Sequence, residues 1–481
     1  MRAHRIVPLA PFTGGGSGRE ALSSKTAART NLLVLGGGMA GLAAAVAAVE
    51  AGAKVTVVEK SARPGGSAAM SAGIVWTAPD FKTLRAVVPG GDPALGQALI
   101  DGFWPAVDRI HSTGVSVSER WEGQMGFGSA VRADIPALLA AWQKQIEAAG
   151  GRILVRSAAR KLLTDDAGRV CGAAIETEGG RRELSADAVL VATGGFQGDN
   201  ELMATFIGPG ADTVLVRSNP GSVGDGFRLG RDAGASASRC LSGFYGHLVP
   251  SPMAELRQDQ YLKLTQYYSN HCILVNRLGH RFTDESLGDE VSNQATLRQP
   301  GSRAVLICDE RIHTTFAATA PYPHGQVIDR IAEAEAAGGI CATARTMHEL
   351  VGAVAGWGVA RRALTATLDE CTAAAAGDES ALDVPRSTPP EPFIEPPFYA
   401  LEVQPTVTFT FGGLAVDPDG RVLDRDGAPV PGLFAAGGDA GGLQDHRYVG
   451  GLALGLVFGP RAAEAAIGVT NARHREVATN G

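Results

Sequence analysis

The segment Leu32-Leu33-Val34-Leu35-Gly36-Gly37-Gly38-Met39-Ala40-Gly41 constrains this chain more than any other stretch. An apolar run ends in closely spaced glycines, and an Ala-rich helical segment follows as far as Gly52. Lys54-Val55-Thr56-Val57-Val58-Glu59 then reads as a second strand ending in a carboxylate. The result is a complete strand–turn–helix–strand–acid unit. Gly36 permits the tight turn, Gly38 lets a pyrophosphate approach the backbone, and Gly41 lets the helix pack closely on the strand. The helix start offers unpaired N–H groups and the positive end of a dipole to phosphates. Glu59 falls about twenty residues on, where a carboxylate accepts hydrogen bonds from a ribose diol. The unit predicts a dinucleotide site. The alternative is a glycine-rich turn in some other α/β protein.

At 481 residues the chain exceeds one typical core, so two domains are expected. Hydrophobic residues make up 45%, as in a soluble globular protein, and no run approaches the ~18 apolar residues of a membrane helix. A net charge of −7 without a basic stripe argues against nucleic-acid binding. The six cysteines are scattered, with no CxxC pair, so no metal site or dithiol centre is expected and a cytoplasmic setting is. Residues 1–30, with Gly14-Gly15-Gly16-Ser17-Gly18, read as a disordered tail.

After Glu59 and Lys60 comes the small-residue loop Arg63-Pro64-Gly65-Gly66-Ser67, suited to passing a phosphate or a flat ring. Residues 134–149 have the spacing of an amphipathic helix, and strand-like runs follow at 152–155 and 170–175. Ala186 to Val191 is a buried strand running into Ala192-Thr193-Gly194-Gly195, and Gly224-Asp225-Gly226 opens another helix. From 240 to 395 the texture changes: most tyrosines, several histidines, a long Ala-rich helical part (Ile328 to Ala376) and a Pro-rich connector. A β-like part, Phe398 to Leu414, and a final helix, Leu452 to Ile467, complete the chain. No second strand–helix–strand fingerprint is present, so no separate NAD(P) domain is expected.

Four motifs in order resemble the FAD-dependent fumarate reductase and succinate dehydrogenase flavoprotein superfamily, which includes the 3-ketosteroid dehydrogenases. They are the Gly36–Glu59 unit, Ala192-Thr193-Gly194-Gly195-Phe196, Gly224-Asp225-Gly226 and Gly432-Leu433-Phe434-Ala435-Ala436-Gly437-Gly438-Asp439. The resemblance spans residues 31 to 467. It implies an α/β, Rossmann-like FAD domain in two segments, 31–240 and 395–481, with an inserted α+β capping domain over 241–394. It also implies the cofactor contacts. Gly36, Gly38, Ala40 and Gly41 would hold the pyrophosphate, with Glu59 and Lys60 near the ribose. Gly66 and Ser67 would lie along phosphates and flavin, with Ala159 at the adenine. Ala192, Gly194 and Asp225 would line the cofactor, and Asp439 would bind the ribityl chain. Ala453 and Leu454 would present helix-start N–H groups to the flavin O2. Some members attach FAD to a histidine after the Gly66-Ser67 loop; Ala68-Ala69-Met70-Ser71-Ala72 has none, so the FAD is expected to be non-covalent.

Within that family, fumarate reductases carry an acid arginine where this chain has Gly288, and paired histidines absent here. Val407-Thr408-Phe409-Thr410-Phe411-Gly412-Gly413 and Gly279-His280-Arg281-Phe282-Thr283-Asp284-Glu285 more resemble tricarballylate dehydrogenase-like members. The resemblance implies a dehydrogenase forming a C=C bond beside a ketone or carboxylate, or an ene-reductase running the reverse. A flavin-binding protein without catalysis is the reading from another class. Tyr448 is expected to polarise the carbonyl and Arg447 to clamp a carboxylate. Tyr245, His247 and Arg281 compete for the proton-transfer role, Arg281 with the alternative of anchoring a turn against Glu285. The partners expected are a small carbonyl or carboxylate substrate and an external electron acceptor, with neither nucleic acid nor membrane.

Overall fold

The computed structural model describes residues 29–480, with no side chains described after residue 472. Residues 1–28 of the expected tail lie outside the described residues. Its last two do not behave as a tail: Arg29 bonds Asp187 at 2.6 Å and Thr30 opens the first strand.

Leu32, Leu33, Val34 and Leu35 are at most 1% exposed, because their strand lies at the centre of an eight-stranded sheet with apolar faces on both sides. Thr30–Leu35 pairs in parallel with Val55–Val58 on one edge and with Gly180–Val191 on the other. Arg152–Leu154 extends the sheet on the first side. On the second side Pro429–Ala435 arrives from the far end of the chain and lies parallel to Gly180–Val191. Ser157–Thr164, unread in the sequence because Arg160 and Lys161 interrupt the alternation, pairs with Val170–Thr177 in an antiparallel flap. Helix Met39–Glu50 covers the sheet, and helix Ile135–Ala148 packs beside it.

A second, six-stranded sheet is organised by Phe398–Val407, which pairs with Leu215–Val216, Leu248–Pro250, Ala304–Asp309 and Cys341–Ala344. The Ala-rich stretch expected as one long helical part is three helices, Arg330–Ala336, Met347–Ala355 and Arg361–Ala375. Gly338 (φ +85°) and Gly358 (φ +90°) turn the chain between them.

The C-terminal helix, Gly451–Asn480, runs further than expected. Its segment Gly451–Ala472, mean hydropathy 1.4, is long and apolar enough to cross a membrane by length and composition, although it holds no unbroken apolar run of that length. Glycines and Pro460, Arg461 and Glu464 interrupt every continuous apolar run. More than half of the segment is buried, and its Gly455 and Gly459 meet the dinucleotide helix. A Cβ on Gly455 would stand 2.9 Å from Met39 Cγ, and one on Gly459 would stand 2.4 Å from the Ala40 carbonyl oxygen. Gly459→Leu is therefore expected to push the two helices apart at a cost of about 1–3 kcal/mol. A thermal melt should show a lowered midpoint, together with lowered flavin content; an unchanged midpoint would contradict the close contact.

Candidate active site

A cavity opens at the C-terminal ends of the parallel strands. Its glycines serve different purposes. Gly36 has φ +108°, and a Cβ there would meet the Ala192 carbonyl oxygen at 2.1 Å, so the turn and the adjacent strand both require glycine. A Cβ on Gly41 would stand 1.9 Å from the Gly36 carbonyl oxygen, so glycine lets the helix sit on the turn. Gly38 is different. Its backbone, φ −82° and ψ −165°, suits any residue, and a Cβ would meet no protein atom within 4 Å. Nothing among the described residues demands glycine there, and the space beside it opens into the cavity, where a bound group fits.

The carboxylate of Glu59 accepts N–H groups from Gly37 at 2.8 Å and Ser61 at 2.7 Å, which fixes it at the cavity wall. Lys60 Nζ stands 2.5 Å from Asp225. Gly36, Gly38, Ala40, Glu59, Lys60, Gly66, Ser67, Ala159, Ala192, Gly194 and Asp225 all line this cavity. Four residues expected at the cofactor do not line it. Gly41 serves packing, and Ala453 is fully buried within its helix. Leu454 uses its N–H on Gly450 O at 3.2 Å. Asp439 is turned away: it accepts the Thr193 N–H, the Thr193 hydroxyl at 2.9 Å and the Gly194 N–H at 3.1 Å. Burial pushes its carboxyl up to about 7. Asp439 thus ties the 193–194 loop to the last strand of the sheet.

A second cavity adjoins the first, and Ser67, Ser71, Thr408, Tyr448 and Leu452 border both. Tyr448 stands at this junction. Its ring stacks on Tyr245 with centroids 3.6 Å apart, and its hydroxyl oxygen accepts the Gly451 N–H at 2.5 Å. Glycine at 451 permits that bond, since a Cβ would stand 2.9 Å from the hydroxyl. Burial pushes the Tyr448 phenol up to about 12, and burial, with Tyr448 beside it, pushes Tyr245 higher than usual.

His247 is buried beside Tyr245, ring centroids 4.7 Å apart, and its Nδ1 bonds the Asp289 carboxylate. Burial holds the imidazole well below its usual range and raises Asp289 to about 8. Arg447 Nε and Nη2 each stand 3.1 Å from Glu290 Oε1, while Glu290 Oε2 is buried without a partner. Removing one member of such a buried pair costs about 3–5 kcal/mol.

Arg281, a contender for proton transfer in the sequence, is not at the site. Its guanidinium is held by Glu285 at 2.6 and 2.9 Å and by the Val384 carbonyl at 2.6 Å, so it anchors a turn. Three charged residues of the cavity carry no role in the sequence expectations: Arg217, Asp289 and Glu290. Two adjacent acids following Gly288 were the visible signal. Gly288 itself borders the cavity at φ +124°, and a Cβ would meet Glu290 Oε2 at 2.6 Å, so a side chain there would be strained and would displace Glu290.

Gly38→Val is expected to leave the fold and its melting midpoint intact while abolishing flavin retention, read as absorbance per mole of purified protein. Full flavin occupancy in the variant would show that the space at Gly38 is not a binding cradle.

Residues 31–454 match the family described as FAD binding domain. The chain is 29% identical over 475 residues to the fumarate reductase (cytochrome) of Shewanella frigidimarina, covering 93% of this chain and 79% of the relative. It is 26% identical over 538 residues to the 4-oxocyclohexanecarboxylate 2-dehydrogenase of Sinomonas cyclohexanicum, covering 89% and 90%. The solved 3-ketosteroid Δ1-dehydrogenase of Sterolibacterium denitrificans shares the fold, with a TM-score of 0.72 at 19% identity over 92% of this chain and 100% of that one. Such a match over most of its length shows that the chain belongs to the FAD binding domain family, and that it is an FAD-dependent oxidoreductase.

Proposed function

We propose that this enzyme forms a C=C bond next to the carbonyl of a small substrate that also bears a carboxylate, and that the substrate occupies the second cavity. The bound FAD supplies the acceptor for the substrate's β-hydride. The chain's own residues handle the α-proton and the charge that its loss creates. The observation that carries this reading is the His247–Asp289 pair bordering the cavity beside the stacked Tyr245 and Tyr448. Among the described residues the imidazole's only hydrogen bond is the one from Nδ1 to Asp289, which leaves Nε2 unused. With Nδ1–H donated to Asp289, Nε2 is a lone pair able to take the α-proton. Tyr448 accepts the Gly451 N–H, so its own hydroxyl hydrogen is left for the substrate carbonyl oxygen as that oxygen gains charge. The relative from Sinomonas is named for a substrate with one ketone and one carboxylate, which fits these groups. Electrons leave the reduced enzyme through an external acceptor.

One observation favours the reverse reaction, reduction of an activated C=C bond, at neutral pH. Asp289 is raised to about 8. Below that value the pair holds two protons, one of them on Nε2, and is an acid. Above it the carboxylate draws the remaining proton to Nδ1 and Nε2 becomes a base.

Anaerobic mixing of oxidised enzyme with ketones, cyclic keto acids and polycarboxylates tests the proposal: the keto acids are expected to bleach the flavin. Bleaching by none, with reoxidation of reduced enzyme by an enoate, would reverse the direction; neither reaction would rule out this substrate class. The bleaching rate is expected to rise with pH by about tenfold per unit up to a midpoint near 8, then level off, and reoxidation by an enoate to stay level up to that midpoint and fall by about tenfold per unit above it. A rate flat across that range would remove the pair from the chemistry. Tyr448→Phe is expected to slow bleaching by about 10²–10³ with FAD retained; an unchanged rate would remove the phenol.

A further inference from the structure

The charged side chains that border the second cavity are Arg217, Asp289, Glu290 and Arg447, beside His247 and His271. Nearly all are already matched. Asp289 is held by His247, Glu290 by Arg447, and His271 by Glu391 at 2.7 Å. Arg217 alone is not. It is 8% exposed, its Nε is buried with no hydrogen-bond partner, and no acid pairs with it among the described residues. Its Nη2 reaches only neutral acceptors, the Tyr261 carbonyl at 3.1 Å and the Tyr267 hydroxyl at 3.3 Å, and the guanidinium lies 4.8 Å from the centre of the Tyr261 ring.

The backbone holds this arginine firmly. Leu215–Val216 pairs with the central strand of the second sheet, and the Arg217 N–H donates to Val407 O at 2.7 Å. Its positive charge acts on Tyr245, His247, Asp289 and Tyr448 together, so it faces the whole reacting cluster. Arg330 is likewise buried without an acid, but its Nη1 is taken by the Ala317 and Thr319 carbonyls and it does not border the cavity. A buried, unpaired guanidinium is costly unless an anion completes it, and its planar fork suits a carboxylate.

We infer that Arg217 is the anion-binding residue of the second cavity and takes the single carboxylate of the substrate, while the Arg447–Glu290 pair offers a charge-neutral, hydrogen-bonding wall. The inference rests on the second cavity being the substrate site. It selects monocarboxylates over dicarboxylates, because only one cation in the cavity lacks a counter-charge. It moves the carboxylate contact away from Arg447, where the family resemblance had put it.

Calorimetric titration of the oxidised holoenzyme tests this without turnover, so it is independent of the direction and rate of the reaction. The probes are cyclohexanecarboxylate, its uncharged carboxamide, and succinate as a dianion. Cyclohexanecarboxylate is expected to bind at least tenfold more tightly than either of the others. Arg217→Gln should remove that preference with FAD content unchanged, and Arg217→Lys should restore part of it. Glu290→Gln, which frees Arg447, should raise succinate affinity at least tenfold; this variant carries the test if Arg217→Gln fails to fold. Equal binding of carboxylate and carboxamide by the parent enzyme, binding of neither, an unaltered preference in Arg217→Gln, or no gain for succinate in Glu290→Gln would each overturn the inference.

Discussion

The docking of Pro429–Ala435 beside Gly180–Val191 is the contact on which the rest of the molecule depends. These strands lie more than two hundred residues apart in the chain, and their pairing closes the parallel sheet. Asp439 secures the joint, accepting three hydrogen bonds from Thr193 and Gly194 across the ends of the strands. The strand then feeds directly into Arg447, Tyr448 and the C-terminal helix. Completing the sheet therefore sets the wall of the cofactor cavity and the residue at its junction with the second cavity. Gly455 and Gly459 fix the depth of the helix against Met39 and Ala40, and so fix the height at which its first turn meets the cavity.

The two cavities differ in how they treat charge. The first is lined by small residues and exposed backbone, with Glu59 held by N–H groups and Lys60 by Asp225, so its features are those of a cradle. The second concentrates buried titratable groups. Burial pushes Asp289, Tyr245 and Tyr448 up and His247 down, all toward their uncharged forms. A site kept close to neutral in this way makes each remaining charge or proton count for more, because interactions strengthen as water is excluded. That is the physical basis for assigning proton transfer to His247 and Asp289 rather than to an arginine.

Much of the first cavity was legible in the sequence because its residues are close in sequence or sit at fixed offsets within one strand–helix–strand unit. Gly36, Gly38 and Gly41 follow from the turn itself. Thr193 and Asp225 follow from similar strand–loop transitions. Asp439 was legible as a position but not as a role, since nothing local says which way a carboxylate at a strand end turns. The second cavity was legible only in part. Tyr448 and Arg447 stood out beside Gly450-Gly451, but His247 and Asp289 are 42 residues apart and meet only because Phe398–Val407 gathers their segments. Arg217 carried no sequence signal, because its importance lies in the acid it lacks. Arg281 was open to two roles from its motif, proton transfer or anchoring against Glu285; the structure shows the anchor and adds the Val384 carbonyl to it. Gly455 and Gly459, four residues apart in the last helix, mark its contact with the dinucleotide helix.

The central claim is that one proton shared by His247 and Asp289 governs the chemistry. In holoenzyme labelled with 15N-histidine, the Nε2 resonance of His247 can be followed against pH with no substrate present. The account predicts a change from a protonated to an unprotonated nitrogen with a midpoint near 8. A midpoint at the ordinary imidazole value of about 6.5, or an Nε2 that never changes state, would contradict it.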